Sequence, residues 1–328
     1  MIRVGVLRGG ISDEFKVSIK TGDSVLKNLP KDKYKGVDIL ITKDGIWHIG
    51  GIPKTPDEIQ TNVDVIFNAL HGEYGEDGKV AQLLEERKIP YTGSSALPSS
   101  LAMSKPMAKE IFKRAGIKTP YGITIEDYRE KTIAGKIPEK IGELALKIFR
   151  SIPPPWVLKP ARGGSSINTF VAKNYNELID ALAQLFSYGG DLVVEQHIRG
   201  KEVSVGVIDN FRNERRYPTM PVEVAKKGDF FDYGLKQKAE LFCPSSLTRG
   251  EKNEVADMAL RAHDILGLRD YSVSDFIVNP RGIYLLETNN LPGLTPFSIL
   301  PTSLEASGSN LSELVDHLLT LALGRKYH

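Results

Sequence analysis

Three oxygen-bearing side chains stand at the ends of two consecutive strand-like segments: Asp275 in the first, Glu287 and Asn289 in the second. Hard donors of this kind suit Mg²⁺, with Mn²⁺ as an alternative, and Mg²⁺ commonly arrives bridging nucleotide phosphates rather than in an all-protein cage. Asn289 returns to the face of Glu287 because strand side chains alternate, and Asp275 joins them if the hairpin register pairs it with Glu287. A lone acid on a strand is ordinarily a solvated face, so the grouping carries the signal. Lys159 closes the segment WVLK ahead of Gly163-Gly164-Ser165-Ser166. Its ammonium can hold phosphate as a point charge, and glycine-rich backbone offers N–H groups to phosphate oxygens, although a plain hairpin turn has the same composition. HGEYGEDG at 71–78 follows the apolar run VIFNAL. In open parallel sheets catalytic groups gather at the C-terminal strand ends; acids that cap the next helix are the plainer alternative. GxxxxGK[ST] and GxSxG are both missing, and the six histidines lack zinc-ligand spacing.

Elements able to position these groups follow from periodicity. Residues 2–7 form a β-branched run ending at Gly9-Gly10, which predicts a buried first strand and a glycine turn, with Ser12 capping a helix over 13–29. Further strands over 38–42 and 63–70 predict a parallel α/β unit through about residue 93. One helix is expected over 99–115, ending at Gly116. Strands at 156–160 and 168–172 should form a hairpin around ARGGSS. A helix through Phe186, strands at 191–198 and 202–209, a helix over 250–266, strands at 271–278 and 282–288, and a packed amphipathic helix from about Ser312 complete the order. The polar, aromatic segment 225–242 reads as a functional loop.

At 328 residues the chain has room for about two to three domains. Lys+Arg 43 against Asp+Glu 41 leaves a net charge of +2, so no global field favours nucleic acid, and a small-molecule partner is the better expectation. The single cysteine, Cys243, excludes an internal disulfide or a thiolate metal site, which fits a reducing, cytoplasmic setting. No signal-peptide-like segment precedes the first glycines, and no window reaches the roughly 20 apolar residues that span a bilayer.

In order and spacing, RGGISDEFKVS, HGEYGEDG, VLKPARGGSS, VVEQHIRGKE and SDF…LLETNNLPGLTPFS resemble the motifs of the D-alanine:D-alanine ligases of the ATP-grasp superfamily, and the likeness spans nearly the whole chain. The resemblance implies an α/β fold of three domains: an N-terminal parallel α/β substrate domain (1–93), a central domain (94–193) and a C-terminal catalytic domain (194–328), with the ATP cleft between the last two. It implies a D-alanine carboxylate attacking the γ-phosphate of ATP, then a second D-alanine amine displacing phosphate, as in peptidoglycan precursor synthesis. By position, Glu14 would pair with the first ammonium. Lys105 and Lys159 would bind phosphates, and Lys236 on the loop would approach the γ-phosphate, with Ser165 in the same hydrogen-bonded group as Glu14. Glu195, Gln196 and Ile198 would frame adenine and Glu202 would accept from the ribose. Asp275, Glu287 and Asn289 would hold Mg²⁺, and Gly293 and Ser298 would serve the second substrate. Small molecules are the implied partners, no nucleic acid or membrane is, and a homodimer is compatible.

Three positions depart from the family pattern. Its usual Arg-x-Asp, in which the arginine stabilises the tetrahedral oxyanion, reads Val273-Ser274-Asp275; Gln237 replaces the tyrosine after the loop lysine; and Ser104 replaces the aspartate before Lys105. Two alternatives to dipeptide synthesis therefore stay open: a ligase for a different second amino or hydroxy acid, suggested by Gln237, and a non-catalytic ATP-binding regulator, suggested by Val273. On this reading Val273→Arg should raise dipeptide formation.

Overall fold

The computed structural model describes residues 1–127, 137–163, 168–225 and 240–325. Three sheets organise them. The first is built from β1 (Ile2–Gly9), β2 (Tyr34–Ile41), β3 (Trp47–Ile49), β4 (Ile52–Lys54) and β5 (Val65–Asn68), with α1 (Phe15–Asn28), α2 (Pro56–Gln60) and α3 (Lys79–Glu86) between strands and after them. Its order is β4-β3-β2-β1-β5. β2, β1 and β5 run parallel, as their composition predicts, and an antiparallel hairpin absent from that reading extends the β2 edge.

Both faces of β1 are covered over Val4–Leu7, the apolar stretch between Arg3 and Arg8. Val4 and Val6 join Val65, Phe67 and Val25 in one core, while Leu7 packs with Ile39, Ile66 and Leu84 in another. Gly9 turns the chain at φ +89°, where a Cβ would lie 2.2 Å from the Ile41 carbonyl oxygen, so only glycine fits. Ser12 is not the cap residue of α1. Glu14 occupies the cap position, and the Ser12 hydroxyl accepts from the Glu14 N–H at 3.2 Å, just ahead of the helix, while donating to the His71 carbonyl at 2.6 Å.

The helix expected over 99–115 is two helices, α4 (Ala96–Met103) and α5 (Lys105–Arg114). Pro106 has no N–H to give and its ring clashes with the preceding turn, so it is tolerated only in the first turn of a new helix. The break at Ser104 is then stitched to the neighbouring unit: the Lys105 N–H donates to the Ala161 carbonyl at 2.9 Å.

The second sheet has the order β6-β9-β7-β8, all antiparallel, from β6 (Gly122–Ile125), β7 (Trp156–Pro160), β8 (Phe170–Ala172) and β9 (Leu192–Gln196). Helices α6 (Ile137–Ser151) and α7 (Tyr175–Tyr188) cover one face, burying Trp156, Leu158, Leu192 and Val194. The β7–β8 hairpin forms where the sequence predicts it.

The third sheet centres on β10 (Lys201–Asp209), joined by β11 (Arg216–Pro218), β12 (Val222–Ala225), β13 (Glu240–Phe242), β14 (Tyr271–Asn279) and β15 (Gly282–Asn289). Helix α8 (Arg249–Ile265) starts with a capping box between Thr248 and Glu251 and packs on this sheet together with α5. Helices α9 (Ile299–Ala306) and α10 (Leu311–Gly324) return to the first sheet. Leu300, Leu304, Leu314, Leu318 and Leu319 are fully buried in the same core as Val4 and Phe67. The charge inside α10 is accounted for by Asp316, which accepts from Lys33 Nζ at 2.7 Å and Tyr34 Oη at 2.8 Å. A further tie joins the ends. Asp270, whose carboxyl is pushed up by burial, accepts from the Gly93 N–H at 2.6 Å and from Arg325 at 2.7 Å.

Candidate active site

A cavity of about 860 Å³ lies where the three sheets meet, and its wall draws on all of them: Glu14 and Gly72, Lys159 and Glu195, Glu202, Asp275 and Glu287. The contribution of the first sheet comes from the loops after β1 and β5, the C-terminal ends of adjacent parallel strands. Glu14 sits against Gly72, where a Cβ would stand 3.3 Å from Glu14 Oε1. His71 does not line the cavity. It is buried, with Nε2 2.8 Å from Thr21 Oγ1 and Nδ1 3.2 Å from Glu76 Oε1, so it fixes the loop that carries Gly72, Glu73 and Asp77.

Strand alternation sorts the second sheet. Trp156 and Leu158 enter the core, while Val157 and Lys159 face the cavity. Val157 is opposite Glu195 and Lys159 opposite Val193, so the lysine and the acid are diagonal neighbours on one face, Lys159 Nζ lying 3.3 Å from Glu195 Oε2. Burial is the largest influence on both and opposes charge. It is outweighed by the neighbouring charges, which hold Lys159 above the usual lysine range and Glu195 below the usual carboxylate range. Glu195, Gln196, His197 and Ile198 form a continuous stretch of wall, and Glu202 completes it at the start of β10.

Asp275 and Glu287 are direct cross-strand partners, so the register condition is met, and Asn289 is opposite Val273 on the same face. A bulge follows Asp275, leaving Leu286 without a partner, and both Leu286 and Glu287 line the cavity instead of alternating away from each other. Asp275 Oδ1 accepts from Ser204 Oγ at 2.6 Å, and Glu287 Oε2 is 3.5 Å from Lys105 Nζ. Two carboxylates with a nearby amide are a hard oxygen set that would fit Mg²⁺ shared with phosphate oxygens. No group of three or more His, Cys, Asp or Glu residues forms a protein-only cage among the described residues. The Asn289 carbonyl accepts from the Leu291 N–H at 2.8 Å and keeps a second lone pair.

Gly293 and Ser298 lie beyond β15, outside the cavity wall. Ser298 occupies the cap position of α9 without making a cap bond; its Oγ accepts from the Thr295 N–H at 3.1 Å and stands close to Gly293. Ser165, Lys236, Gln237 and most of the segment 225–242 fall outside the described residues.

Residues 3–60 and 51–94 match the family model for the D-ala D-ala ligase N-terminus, and 112–320 match that for the D-ala D-ala ligase C-terminus. The chain belongs to the D-alanine–D-alanine ligase family. It is 36% identical over 325 residues to the D-alanine–D-alanine ligase of Geobacter sulfurreducens, covering 98% of this chain and 94% of that protein. With D-alanine–D-alanine ligase B of Clostridium perfringens it shares 32% identity over 330 residues, 99% of each. Among solved structures, the VanG D-Ala:D-Ser ligase from Enterococcus faecalis superposes with a TM-score of 0.82 at 25% identity, over 98% of this chain and 99% of the other. A D-alanine–D-alanine ligase from Bacillus anthracis, solved in complex with ATP, gives 0.77 at 29%, over 98% of each. The three-sheet architecture is the ATP-grasp fold, and the chain is an ATP-dependent ligase of this family.

For a ligase of this family, two features of the site were not read from the sequence. Lys109, one turn after Lys105, is buried behind the cavity wall and ion-pairs with Glu195; the i, i+4 spacing of two lysines was the available signal. The apolar lining of Met103, Val157, Val171, Ile198, Ile277 and Leu286 carried none, because it is assembled from four separate stretches of chain. Val273 is 5% exposed and packs in the core with Tyr271 and Leu291.

Proposed function

We propose that the protein joins two D-alanines into D-alanyl-D-alanine for peptidoglycan precursor synthesis, in the cytoplasm. The supporting observation is the convergence of Glu14, Lys105, Lys159, Asp275 and Glu287 on one cavity large enough for a nucleotide and a small acid. Adenine packs between Val157, Ile198 and Ile277 and is read by backbone groups of 195–198. Glu202 accepts from the ribose hydroxyls, and Lys105 and Lys159 hold phosphates. Asp275, Glu287 and Asn289 would hold Mg²⁺, which supplies charge neutralisation on the phosphates. Glu14 pairs with the ammonium of the first D-alanine, leaving its carboxylate directed at the γ-phosphate. A carboxylate oxygen forms a bond to phosphorus, the bond to the ADP oxygen breaks, and an acylphosphate results. The second amine, as free base, attacks the acyl carbon near Gly293 and Ser298; the carbon–oxygen bond to phosphate breaks and the nitrogen loses a proton. Residues 1–93, 94–193 and 194–328 serve as substrate, nucleotide and catalytic units, with α9 and α10 of the last unit packed on the first sheet.

A second reading, a different second amino or hydroxy acid, is favoured by the fold likeness to a ligase named for D-serine. ADP release with D-alanine, alone and with D-serine, D-lactate or L-amino acids, followed by product mass, separates the two. Dipeptide of D-alanine alone supports the first. Absence of ADP release with every acid tested would reject both.

A further inference from the structure

In the cavity wall, Glu195 is shared by two lysines. Its Oε1 pairs with Lys109 and its Oε2 lies 3.3 Å from Lys159, while the carboxylate itself is 2% exposed. Lys109 is 14% exposed and is absent from the cavity lining, and among the described residues its ion pair is with Glu195. A buried carboxylate is costly to keep charged and takes whatever cation is within reach. We propose that Lys109 is a positioning residue for nucleotide binding: by saturating one oxygen of Glu195, it leaves the Lys159 ammonium its charge for phosphate. This rests on the reading of the cavity as the ATP site.

The charge count supports it. With Lys109 in place, Glu195 and its two lysines sum to +1, and that charge resides on the lysine that faces the cavity. Without Lys109 the pair Glu195–Lys159 is neutral, and the acid draws Lys159 toward itself. Burial pushes Lys109 down to about 8 despite Glu195, and Lys159 adds to the depression, as expected when two cations crowd one carboxylate. Lys105 does not substitute, because its ammonium is directed at the Gly163 carbonyl and Glu287.

The test is calorimetric titration of Mg·ATP into the full-length protein, its Lys109→Met, Lys109→Arg and Glu195→Gln variants, and Lys109→Met/Glu195→Gln. Lys109→Met should weaken ATP binding about tenfold to a hundredfold, the size of one charge-assisted contact, with KM for ATP rising and kcat at saturation little changed. Lys109→Arg should restore binding. With no buried acid left to capture Lys159, adding Lys109→Met to Glu195→Gln should change affinity by less than about threefold. Lys109→Met binding as tightly as the parent, or a double variant about tenfold or more weaker than Glu195→Gln, overturns the proposal. Should Lys109→Met fail to fold, the comparison of the double variant with Glu195→Gln decides alone: a further loss of about tenfold or more rejects the role. A parent protein that binds no Mg·ATP overturns the cavity reading itself, a result distinct from parent binding that Lys109→Met leaves unchanged.

Discussion

On the side of the cleft assigned to the nucleotide, Lys105, Lys109 and Lys159 meet Glu195 and Glu287 in buried or half-buried pairs set by strand register and a helical turn. On the side assigned to the acceptor stand Val273 of β14 in an apolar core and, beyond β15, the Gly293 backbone and a Ser298 hydroxyl engaged with Thr295. The contrast shows two ways of handling charge. Phosphate carries its charge into the site before reaction, so cations must be held ready against like-charge repulsion, and paired acids do this. The oxyanion exists only during acyl transfer, and on the proposed reading the Gly293 N–H, together with Mg²⁺ when bound, would meet it.

Removing one acid from the charged side should have the largest effect. Glu287→Gln deletes half of the cross-strand carboxylate pair, and ADP release should fall by about a hundredfold or more while circular dichroism and melting stay near the parent. Full activity at limiting Mg²⁺ would erase the contrast. Glu14→Gln should come next, raising KM for the first D-alanine by about tenfold to a hundredfold through loss of a charged partner, with ATP binding unchanged by calorimetry.

On the apolar side, Val273→Arg should raise dipeptide formed per ADP released by about tenfold, because the new side chain shares its face with Asp275 and Asn289 and need not stay unpaired. Melting should fall by several degrees, since Val273 is 5% exposed. A folded variant with no gain would show that another group serves the oxyanion; an unfolded one would show that core packing dominates.

The pH response should be smaller. Lys109 is pushed down to about 8, so it loses its proton as pH rises through that value; Glu195 then holds Lys159 alone and ATP affinity drops. Below that pH the lysine is charged and affinity is full. Binding isotherms between pH 7 and about 9.5 should show this loss in the parent and not in Lys109→Arg, whose guanidinium stays protonated. Least affected should be a scaffold change remote from the cavity: Thr248→Ala removes the α8 capping box and should cost about 1 kcal/mol by denaturant titration, with kinetics unaltered.

Much of this architecture was legible because it rests on local signals. The β1 run, the Gly9 turn and the β7–β8 hairpin follow from alternation and glycine chemistry, whereas the pairing of Asp275 with Glu287 waited on the register that the bulge after Asp275 sets. The exceptions have physical causes. Ser12 reads as a cap by type, yet its hydroxyl accepts from the Glu14 N–H ahead of the helix and donates to the His71 carbonyl 59 residues away, and Glu14 takes the cap position. The 99–115 helix reads as continuous by period, yet Pro106 forces a restart at Lys105. The β3–β4 edge hairpin is two three-residue strands turning on Gly50-Gly51, too brief for a period to register.

By itself the sequence determined which side chains can hold phosphate, metal and ammonium, and the order in which strands and helices bring them up, because side-chain chemistry and short-range periodicity are written residue by residue. Only the tertiary structure decided that Lys109 stands behind Glu195, that a bulge turns Leu286 and Glu287 into one cavity, and that α9 and α10 close on the first sheet. Those outcomes depend on register, on packing between distant segments and on which cation reaches a buried acid, and each is set by contacts far apart in the chain.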